Sequence, residues 1–405
     1  MSKLDELIQQ HCPDGVEWKK LKDVADFQYG YPFAAELFTD DDSFCPLIRI
    51  RDVKPGTTKT FYKGEVLPEY LIHKGDILVG MDGEFNLAKW QSADALLNQR
   101  VCKISANKQN EVIDGFLYHY LLPLFKQIEA SIQGSTVKHL SAQKLNTITI
   151  PVPPLPVQEE IVRILDNFAE LQAELQAELQ KRLQQYEYYR DKLLSFSDLS
   201  NWGGQEVSVE WKKLGEIATL IRGGNFQKKD FTDTGVPCIH YGQIYTHFGI
   251  HTTSTLKYIS PDVASKSKIA KTNDIVMAIT SENVEDVGKC VAWMGDEDIA
   301  VSGHTAIIQH KQNAKYLSYY FHSSHFFTQK KRLAHGTKVI EISPKDLANV
   351  VIPIPPLAEQ QRIVDILDRF HALTTDITAG LPAEIEARRK QYEYYRDRLL
   401  TFKQK

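Results

Sequence analysis

Polar side chains that can hydrogen-bond to the edges of nucleic-acid bases follow several predicted strands of this chain. In the first half these residues are Arg49, Arg51, Lys54, Glu84, Asn86, Gln99 and Arg100. Matching places in the second half hold His240, Tyr241, Gln243, Asn283 and His304. Arginine pairs with guanine, Asn or Gln with adenine, and Asp or Glu with cytosine. Any one of these side chains could be an ordinary polar loop residue, but together they indicate two readers of different sequences.

Two lysines occupy a second pair of matching places. Lys138 follows Gly134-Ser135-Thr136-Val137, and Lys338 follows Gly336-Thr337, shortly before a proline-rich stretch in each half. We include both lysines among the candidate nucleic-acid contacts.

The sequence has no motif that is typical of catalysis. It lacks the G-x-x-x-x-G-K-[ST] and G-x-G-x-x-G phosphate loops and the H-E-x-x-H and G-x-S-x-G motifs. Asp14, Glu17 and Lys19 superficially resemble a metal-dependent nuclease site, but their spacing is too tight for two strands to bring them together. The second half keeps Glu210 and Lys212 without a matching aspartate. We therefore predict a non-catalytic chain without a metal or cofactor of its own.

The candidate residues lie in a chain that repeats itself. The heptapeptide Gln-Tyr-Glu-Tyr-Tyr-Arg-Asp occurs at 185–191 and 391–397. Val-Glu-Trp-Lys-Lys-Leu occurs at 16–21 and 209–214. Pro-Pro-Leu also occurs twice, each time before a run of the form Ile-Val-x-Ile-Leu-Asp-x-Phe. A period of about 200 residues is too long for a solenoid, so it indicates tandem duplication of a whole unit. Such a pseudo-two-fold chain suits a two-fold-like target.

A long amphipathic helix is predicted after each strand-rich half. In the first copy the apolar residues recur at steps of three and four: Phe168, Leu171, Leu175, Leu179, Leu183 and Tyr186. Nothing interrupts this helix between 157 and 196, a length of roughly 60 Å. The second copy contains Gly380-Leu381-Pro382, which predicts a break because proline disrupts a helix interior. We expect the two copies to pack along each other as an antiparallel coiled coil.

These elements predict an α+β fold with two mixed α/β domains and a long antiparallel two-helix spacer. The first domain spans 1–156 and begins with a short helix over Ser2–Gln10, capped by Ser2. The first spacer helix covers 157–196 and a linker covers 197–207. The second domain spans 208–356, and the second spacer helix covers 357–402, broken near 380–382.

Composition favours a cytoplasmic protein. The chain has 405 residues, and none of its apolar runs approaches the roughly 18–20 residues of a membrane span. Its N-terminus lacks the apolar region of a signal peptide, and its five scattered cysteines form no CxxC pair. The net charge of −4 counts against nucleic-acid binding by the chain alone, but it leaves room for local patches or a binding site shared with a partner.

The duplicated blocks closely resemble those of the specificity subunit of type I restriction–modification enzymes, over essentially the whole chain. The resemblance implies a DNA-recognition subunit with two target recognition domains that read an asymmetric, two-part site in double-stranded DNA. It also implies two modification subunits, which bind S-adenosylmethionine and methylate adenine N6. Restriction subunits, which use ATP and Mg²⁺, would cut the DNA. This chain would contribute no cofactor.

Two features leave alternatives open. The tyrosine-rich heptapeptides could fill the seam between the helices or dock another protein, and we keep as candidate partner contacts Tyr186, Tyr189, Arg190, Tyr392, Tyr395 and Arg396. The unit Leu-Gln-Ala-Glu occurs twice in succession at 171–178. One added unit, about 6 Å of helix, would change the gap between half-sites, although harmless slippage is the alternative.

Two competing functions also remain. A self-contained nuclease or methyltransferase is disfavoured because the motifs for nucleotide and cofactor binding are missing. A coiled-coil scaffold whose end domains bind protein is the alternative function.

Overall fold

The computed structural model describes residues 3–108, 110–132, 138–196, 208–375 and 380–405. The chain divides into two compact units. Unit 1 comprises Met1–Leu175 and Ile385–Lys405, and unit 2 comprises Gln176–Glu384. The predicted cap Ser2, the segment 134–137 before Lys138 and the predicted linker 197–207 lie outside the described residues.

The described elements of the first half begin with a short helix, in agreement with the sequence. They are α1 Lys3–His11, β1 Glu17–Lys20, β2 Ala25–Tyr29, β3 Phe38–Thr39, β4 Cys45–Ile48, β5 Phe61–Tyr62, β6 Leu71–Ile72, β7 Ile77–Gly80, β8 Leu87–Lys89, β9 Ala95–Leu97, β10 Val101–Ala106, α2 Asp114–Ser131, α3 Ala142–Thr147, β11 Thr149–Val152 and α4 Leu155–Ser195.

The second half repeats this style with additional short helices. Its described elements are β12 Glu210–Lys213, α5 Leu214–Ile217, β13 Ala218–Arg222, β14 Phe231–Thr232, β15 Val236–Ile239, α6 Tyr241–Thr246, β16 His251–Thr252, β17 Lys257–Ile259, α7 Pro261–Ala264, β18 Lys268–Ala270, β19 Ile275–Ala278, β20 Thr280–Ser281, β21 Cys290–Trp293, β22 Ile299–Val301, β23 Thr305–His310, α8 Ala314–Phe321, α9 Ser324–Leu333, β24 Ile340–Glu341, α10 Pro344–Leu347, β25 Val351–Ile354, α11 Leu357–Thr375 and α12 Gly380–Leu399.

The sheets of the two units correspond, apart from one strand that unit 2 adds. In each unit we call sheet A the strands β2-β10-β7-β8 or β13-β23-β19-β21-β16, and sheet B the strands β3-β5-β4-β9-β6 or β14-β17-β15-β22-β18. Strand β16 is the addition in unit 2. The opening Glu-Trp-Lys-Lys strand pairs in both cases with the strand that precedes the Pro-Pro-Leu helix, β1 with β11 and β12 with β25. The duplication seen in the sequence is therefore a duplication of topology.

Each unit is layered, with sheet A between helices and sheet B. In β7, Ile77 and Val79 join the core shared with Phe116 of α2, whereas Leu78 joins the core shared with Ile48 of sheet B. A strand that is buried on both faces needs apolar residues at successive positions. This explains the uninterrupted Ile-Leu-Val run that the sequence shows there.

One strand pair in each sheet B is parallel. Ile48 of β4 lies beside Leu97 of β9, and Ile239 of β15 lies beside Val301 of β22. Because parallel neighbours end at the same edge of a sheet, the residues that follow these strands are brought together. This edge carries the candidate readers in each unit, and we call it the reading edge.

Helix α4 is continuous over 41 residues and begins at Leu155, two residues before the predicted start. Its second residue is proline, which is tolerated in a first turn because the N–H there has no helical partner. In the second copy the structure describes helix α11 up to Thr375 and helix α12 from Gly380, and Pro382 lies in the first turn of α12. Among the described residues, no helix is long and apolar enough to cross a membrane.

Candidate nucleic-acid interface

The reading edge of unit 1 begins at a short 3-10 turn that follows β4. The backbone N–H of Arg49 donates to Oδ2 of Asp52 at 2.9 Å, and this hydrogen bond caps the turn. Asp52 itself is buried. Arg51 is exposed, and its Nη2 donates to Oγ1 of Thr60 at 3.3 Å. Lys54, just beyond the turn, is exposed as well. The turn therefore presents cationic side chains at the end of the parallel strand pair.

Backbone hydrogen bonds tie three further segments to this edge. The N–H of Met81 donates to the carbonyl of Arg100, and the N–H of Leu140 donates to the carbonyl of Met81, both at 2.8 Å. The N–H of Gly83 donates to the carbonyl of Lys138 at 2.8 Å. Three sites that are far apart in the sequence are thus brought together.

Asp82 contacts two of the polar side chains in this cluster. Its Oδ2 pairs with Nη1 of Arg100 at 3.0 Å, and its Oδ1 pairs with Nδ1 of His139 at 2.5 Å. Nearby, Nζ of Lys138 lies 3.6 Å from Oε1 of Glu129. His139 was missed in the sequence, although its position next to Lys138 is the signal that would have found it.

The remaining candidates of unit 1 are also at this edge. Nδ2 of Asn86 donates to Oε2 of Glu84 at 3.1 Å, so these two candidates hold each other. Gln99 is exposed, and its N–H donates to the carbonyl of Tyr31 at 2.9 Å. Tyr31 is 40% exposed, and sequence reasoning also missed this aromatic side chain, on which a base could stack.

The reading edge of unit 2 begins at helix α6. The N–H of His240 donates to Oε1 of Gln243 at 2.8 Å, the counterpart of the Arg49–Asp52 cap. Burial, together with the neighbouring Lys228 and His304, lowers the pKa of His240 to about 4, so the imidazole is neutral near pH 7. The ring of Tyr241 lies 5.0 Å from that of His304. Gln243 uses its carbonyl oxygen for the cap and retains its amide N–H groups for other partners.

A surface pocket of about 380 Å³ opens beside these rings. Nδ1 of His304 and Oγ1 of Thr280 are 3.0 Å apart, and the hydroxyl of Tyr245 donates to the carbonyl of Thr280. Asn283 also lines the pocket, but its Oδ1 accepts from the N–H of Asp286 at 2.7 Å and its Nδ2 donates to Oδ2 of that residue at 2.9 Å. In this conformation both the oxygen and the nitrogen of the Asn283 amide are bonded to Asp286.

Lys338 is exposed in the segment that leads to β24. That strand pairs with β20, which follows β19 of sheet A. Lys138 of unit 1 has a matching position, because the next residue, His139, forms an isolated antiparallel β-bridge with Asp82, which follows β7 of sheet A. The two edges thus have the same framework but different chemistry, arginine-rich in unit 1 and rich in neutral aromatic and hydroxyl groups in unit 2.

The tyrosine-rich heptapeptides adopt the same local structure twice. The ring of Tyr189 stacks on Phe370 in unit 2, and that of Tyr395 stacks on Phe168 in unit 1, both with centroids 5.7 Å apart. The buried Tyr186 contacts His371, and its counterpart Tyr392 contacts Phe168. In each unit the heptapeptide thus packs against the Ile-Leu-Asp-x-Phe helix of the other half of the sequence.

The outer face of each heptapeptide is exposed. Arg190 lies 5.7 Å from the ring of Tyr186, and Arg396 lies 5.7 Å from that of Tyr392. Each arginine pairs with the following aspartate at 2.9 Å or closer. Tyr188 and Tyr394 are 60% and 61% exposed. Of the four candidate tyrosines, Tyr186 is buried, Tyr189 and Tyr392 are half-buried and Tyr395 is 37% exposed. Tyr188 and Tyr394, which the sequence did not single out, are the most exposed tyrosines of the two heptapeptides.

The structure gives no support to catalysis at the nuclease-like residues. Nζ of Lys19 lies 2.8 Å from Glu111 and 3.5 Å from Glu17, and Asp14 is exposed. Across the described part of the chain, no group of three or more His, Cys, Asp or Glu residues could hold a metal ion.

Comparison with known proteins points to one family. The sequence model described as "Type I restriction modification DNA specificity domain" matches residues 13–185 and 206–387. The chain is 32% identical to the type I restriction enzyme EcoR124I/EcoR124II specificity subunit of Escherichia coli, over 99% of this chain and 97% of that protein. It is also 32% identical to a putative type I restriction enzyme specificity subunit of Haemophilus influenzae, over 84% of this chain and 88% of the relative.

A solved structure supports the fold. It is described as the structural basis of complex assembly and conformational transition of the type I R-M system, and it aligns with 96% of this chain and 98% of its own. The TM-score is 0.59 at 20% sequence identity.

Proposed function

The chain belongs to the type I restriction–modification DNA specificity family, and we propose that it reads an asymmetric DNA site in two parts, one half-site with each unit. Members of this family are the DNA sequence-recognition subunits of restriction–modification complexes, and the catalytic activities lie in other subunits. The assignment agrees with the missing catalytic motifs of the sequence.

The observation that supports the two-part proposal is that the two units share one arrangement of strands but carry different side chains at the reading edge. Sheets A and B recur in both units with one added strand in unit 2, and the reading edge follows the parallel strand pair in both. At matching positions Arg49 is replaced by His240, and Arg100 by His304. Since bases are distinguished by the donors and acceptors offered to them, different side chains on the same framework select different half-sites.

We propose that two modification subunits bind, one at each heptapeptide. The two outward faces share a sequence and nearly equal exposure at Tyr188 and Tyr394, so they suit two copies of one partner. Exposed tyrosine next to arginine is typical of interface centres. The partners would supply S-adenosylmethionine and methylate adenine N6 in the cytoplasm, and restriction subunits would supply ATP- and Mg²⁺-dependent cleavage.

The test is to co-express the chain with its modification subunit in a host without DNA methylation and to map N6-methyladenine by single-molecule sequencing. We expect a new motif with two unequal halves separated by a fixed gap. Absence of new methylation, with the complex confirmed by co-purification, would contradict the proposal and would favour a scaffold with protein-binding end domains.

A further inference from the structure

The turn between β9 and β10 corresponds to the turn between β22 and β23. Both turns follow the parallel strand of sheet B, and both are pressed against a glycine. A Cβ added to Gly30 would lie 1.9 Å from the carbonyl oxygen of Asn98, and one added to Gly223 would lie 2.0 Å from that of Ser302. The backbone position of the turn is thus fixed in both units. Its exposed last residue differs, Arg100 in unit 1 and His304 in unit 2.

Each of these exposed residues is held by a side chain at a second matching position. Asp82 and Thr280 lie two residues beyond the ends of β7 and β19. Asp82 contacts Nη1 of Arg100 at 3.0 Å, and Thr280 contacts Nδ1 of His304 at 3.0 Å. The same framework therefore positions a guanidinium in one unit and an imidazole in the other.

Both the backbone and the side chain of Arg100 are restrained by their surroundings. Its φ of 69° is unusual for a residue other than glycine, and such backbone is held only where the surroundings enforce it. The side chain of Arg100 remains 66% exposed although it is paired, whereas that of Asp82 is 17% exposed. His139 occupies the second oxygen of Asp82 at 2.5 Å. Both oxygens of the Asp82 carboxylate are therefore engaged, one by Arg100 and the other by His139.

The chemistry favours a base edge over a phosphate as the target of Arg100. Nη1 of this guanidinium faces Oδ2 of Asp82 at 3.0 Å, and the side chain, 66% exposed, still presents N–H donors to a ligand. A planar fork with a fixed orientation matches the O6 and N7 acceptors of guanine. Phosphate binding needs no fixed plane, and the exposed Arg51 and Lys54 can provide it.

We infer that Arg100 reads a guanine in the half-site of unit 1, and that Asp82 is the residue that positions it. This inference rests on the proposed function, since it assumes that unit 1 reads one half-site.

The experiment maps N6-methyladenine for complexes that contain R100A, R100K, D82A or the control R163A. Arg163 is also an exposed arginine of unit 1, 57% exposed, and it pairs with the carboxylate of Glu160 on α4. For R100A and R100K we expect one G·C pair of one half-site to lose its discrimination by about 10-fold or more, with the other half-site unchanged. R100K keeps the charge but lacks the fork, so it separates base reading from charge. D82A should relax the same pair to a smaller extent, and R163A should keep the wild-type motif.

Two outcomes would overturn the inference. Uniformly weaker methylation of an unchanged motif by R100A, with R100K restoring it, would identify a phosphate contact. Relaxation at an A·T pair would assign Arg100 to a different base. If instead the wild-type complex produces no two-part motif, the proposed function itself has failed. That outcome is visible in the wild type alone and is therefore distinct from a failure of the inference about Arg100.

Discussion

Replacing Gln360 by leucine is expected to loosen helix α11 from the domain that it follows. Gln360 is fully buried; its Oε1 accepts from the N–H of Asn313 at 3.0 Å, and its Nε2 donates to the carbonyl of Pro355 and to Oε1 of Gln312, both at 2.8 Å. Leucine has a similar volume but leaves these groups without a partner. Each buried unpaired group costs about 1–3 kcal/mol, so we expect a loss of about 3 kcal/mol.

Scanning calorimetry of the purified chain measures this effect. For a unit of this size, a loss of about 3 kcal/mol corresponds to a fall in melting temperature of roughly 6–12 °C. The control is Q361L at the exposed neighbour, which we expect to change the melting temperature by less than about 2 °C. Gln158 makes the equivalent bonds in unit 1, to the N–H of Ile113 at 3.1 Å and the carbonyl of Pro153 at 2.7 Å, so Q158L should behave similarly. Equal melting temperatures for Q360L and Q361L would refute the reasoning.

Four further predictions concern the helices, the partners and pH. Inserting one Leu-Gln-Ala-Glu unit after residue 178 lengthens α4 by about 6 Å. Because each base pair of DNA rises by ~3.4 Å, the gap of the methylation motif should grow by about one to two base pairs. Changed half-sites with an unchanged gap would contradict this prediction. Gel-shift titration should show weak DNA binding by the isolated chain and strong, salt-sensitive binding by the assembled complex, because partners supply phosphate contacts; equal affinities would contradict it. Combined Y188A and Y394A should weaken co-purification with the modification subunit by 10-fold or more (about 1.4 kcal/mol) while leaving the melting temperature unchanged, and undiminished assembly would remove these tyrosines from the interface. Burial lowers the pKa of His310 from 6.5 to about 4. The neutral His310 therefore contributes stability above pH 6.5, and this contribution is lost as the pH falls through about 4. In this pH window, the urea midpoint of H310N should depend less on pH than that of the wild type.

The sequence was sufficient to predict the duplication, the mixed domains and the long helix, because these depend on patterns that repeat. The Pro-Pro-Leu boundary and the absence of helix breakers placed the start of α4 within two residues. The sequence could place the candidate loops at equivalent positions in the two halves because the strands before them carry recognisable apolar runs. That they share one edge follows from the parallel pairing of β4 with β9 and of β15 with β22.

The roles of single side chains depended on contacts that no pattern reveals. Gln243 caps a helix and Asn283 closes a turn, and the amide of either residue type can serve as a base reader or as a cap. Tyr186 and Tyr188 stand two residues apart in one heptapeptide, yet the first is buried and the second exposed. His139 entered the site because Asp82, distant in sequence, pairs with it. These assignments needed the folded chain.

The most direct test of the two-part account is to exchange residues 208–356 for the corresponding residues of a relative with a different motif. The exchanged chain would be expressed with the same modification subunit, and N6-methyladenine would be mapped after co-purification confirms assembly. We predict that one half-site changes to that of the relative, while the other half-site, read by unit 1, is retained. A motif in which both halves change, or neither does, would contradict the division of DNA recognition between the two units.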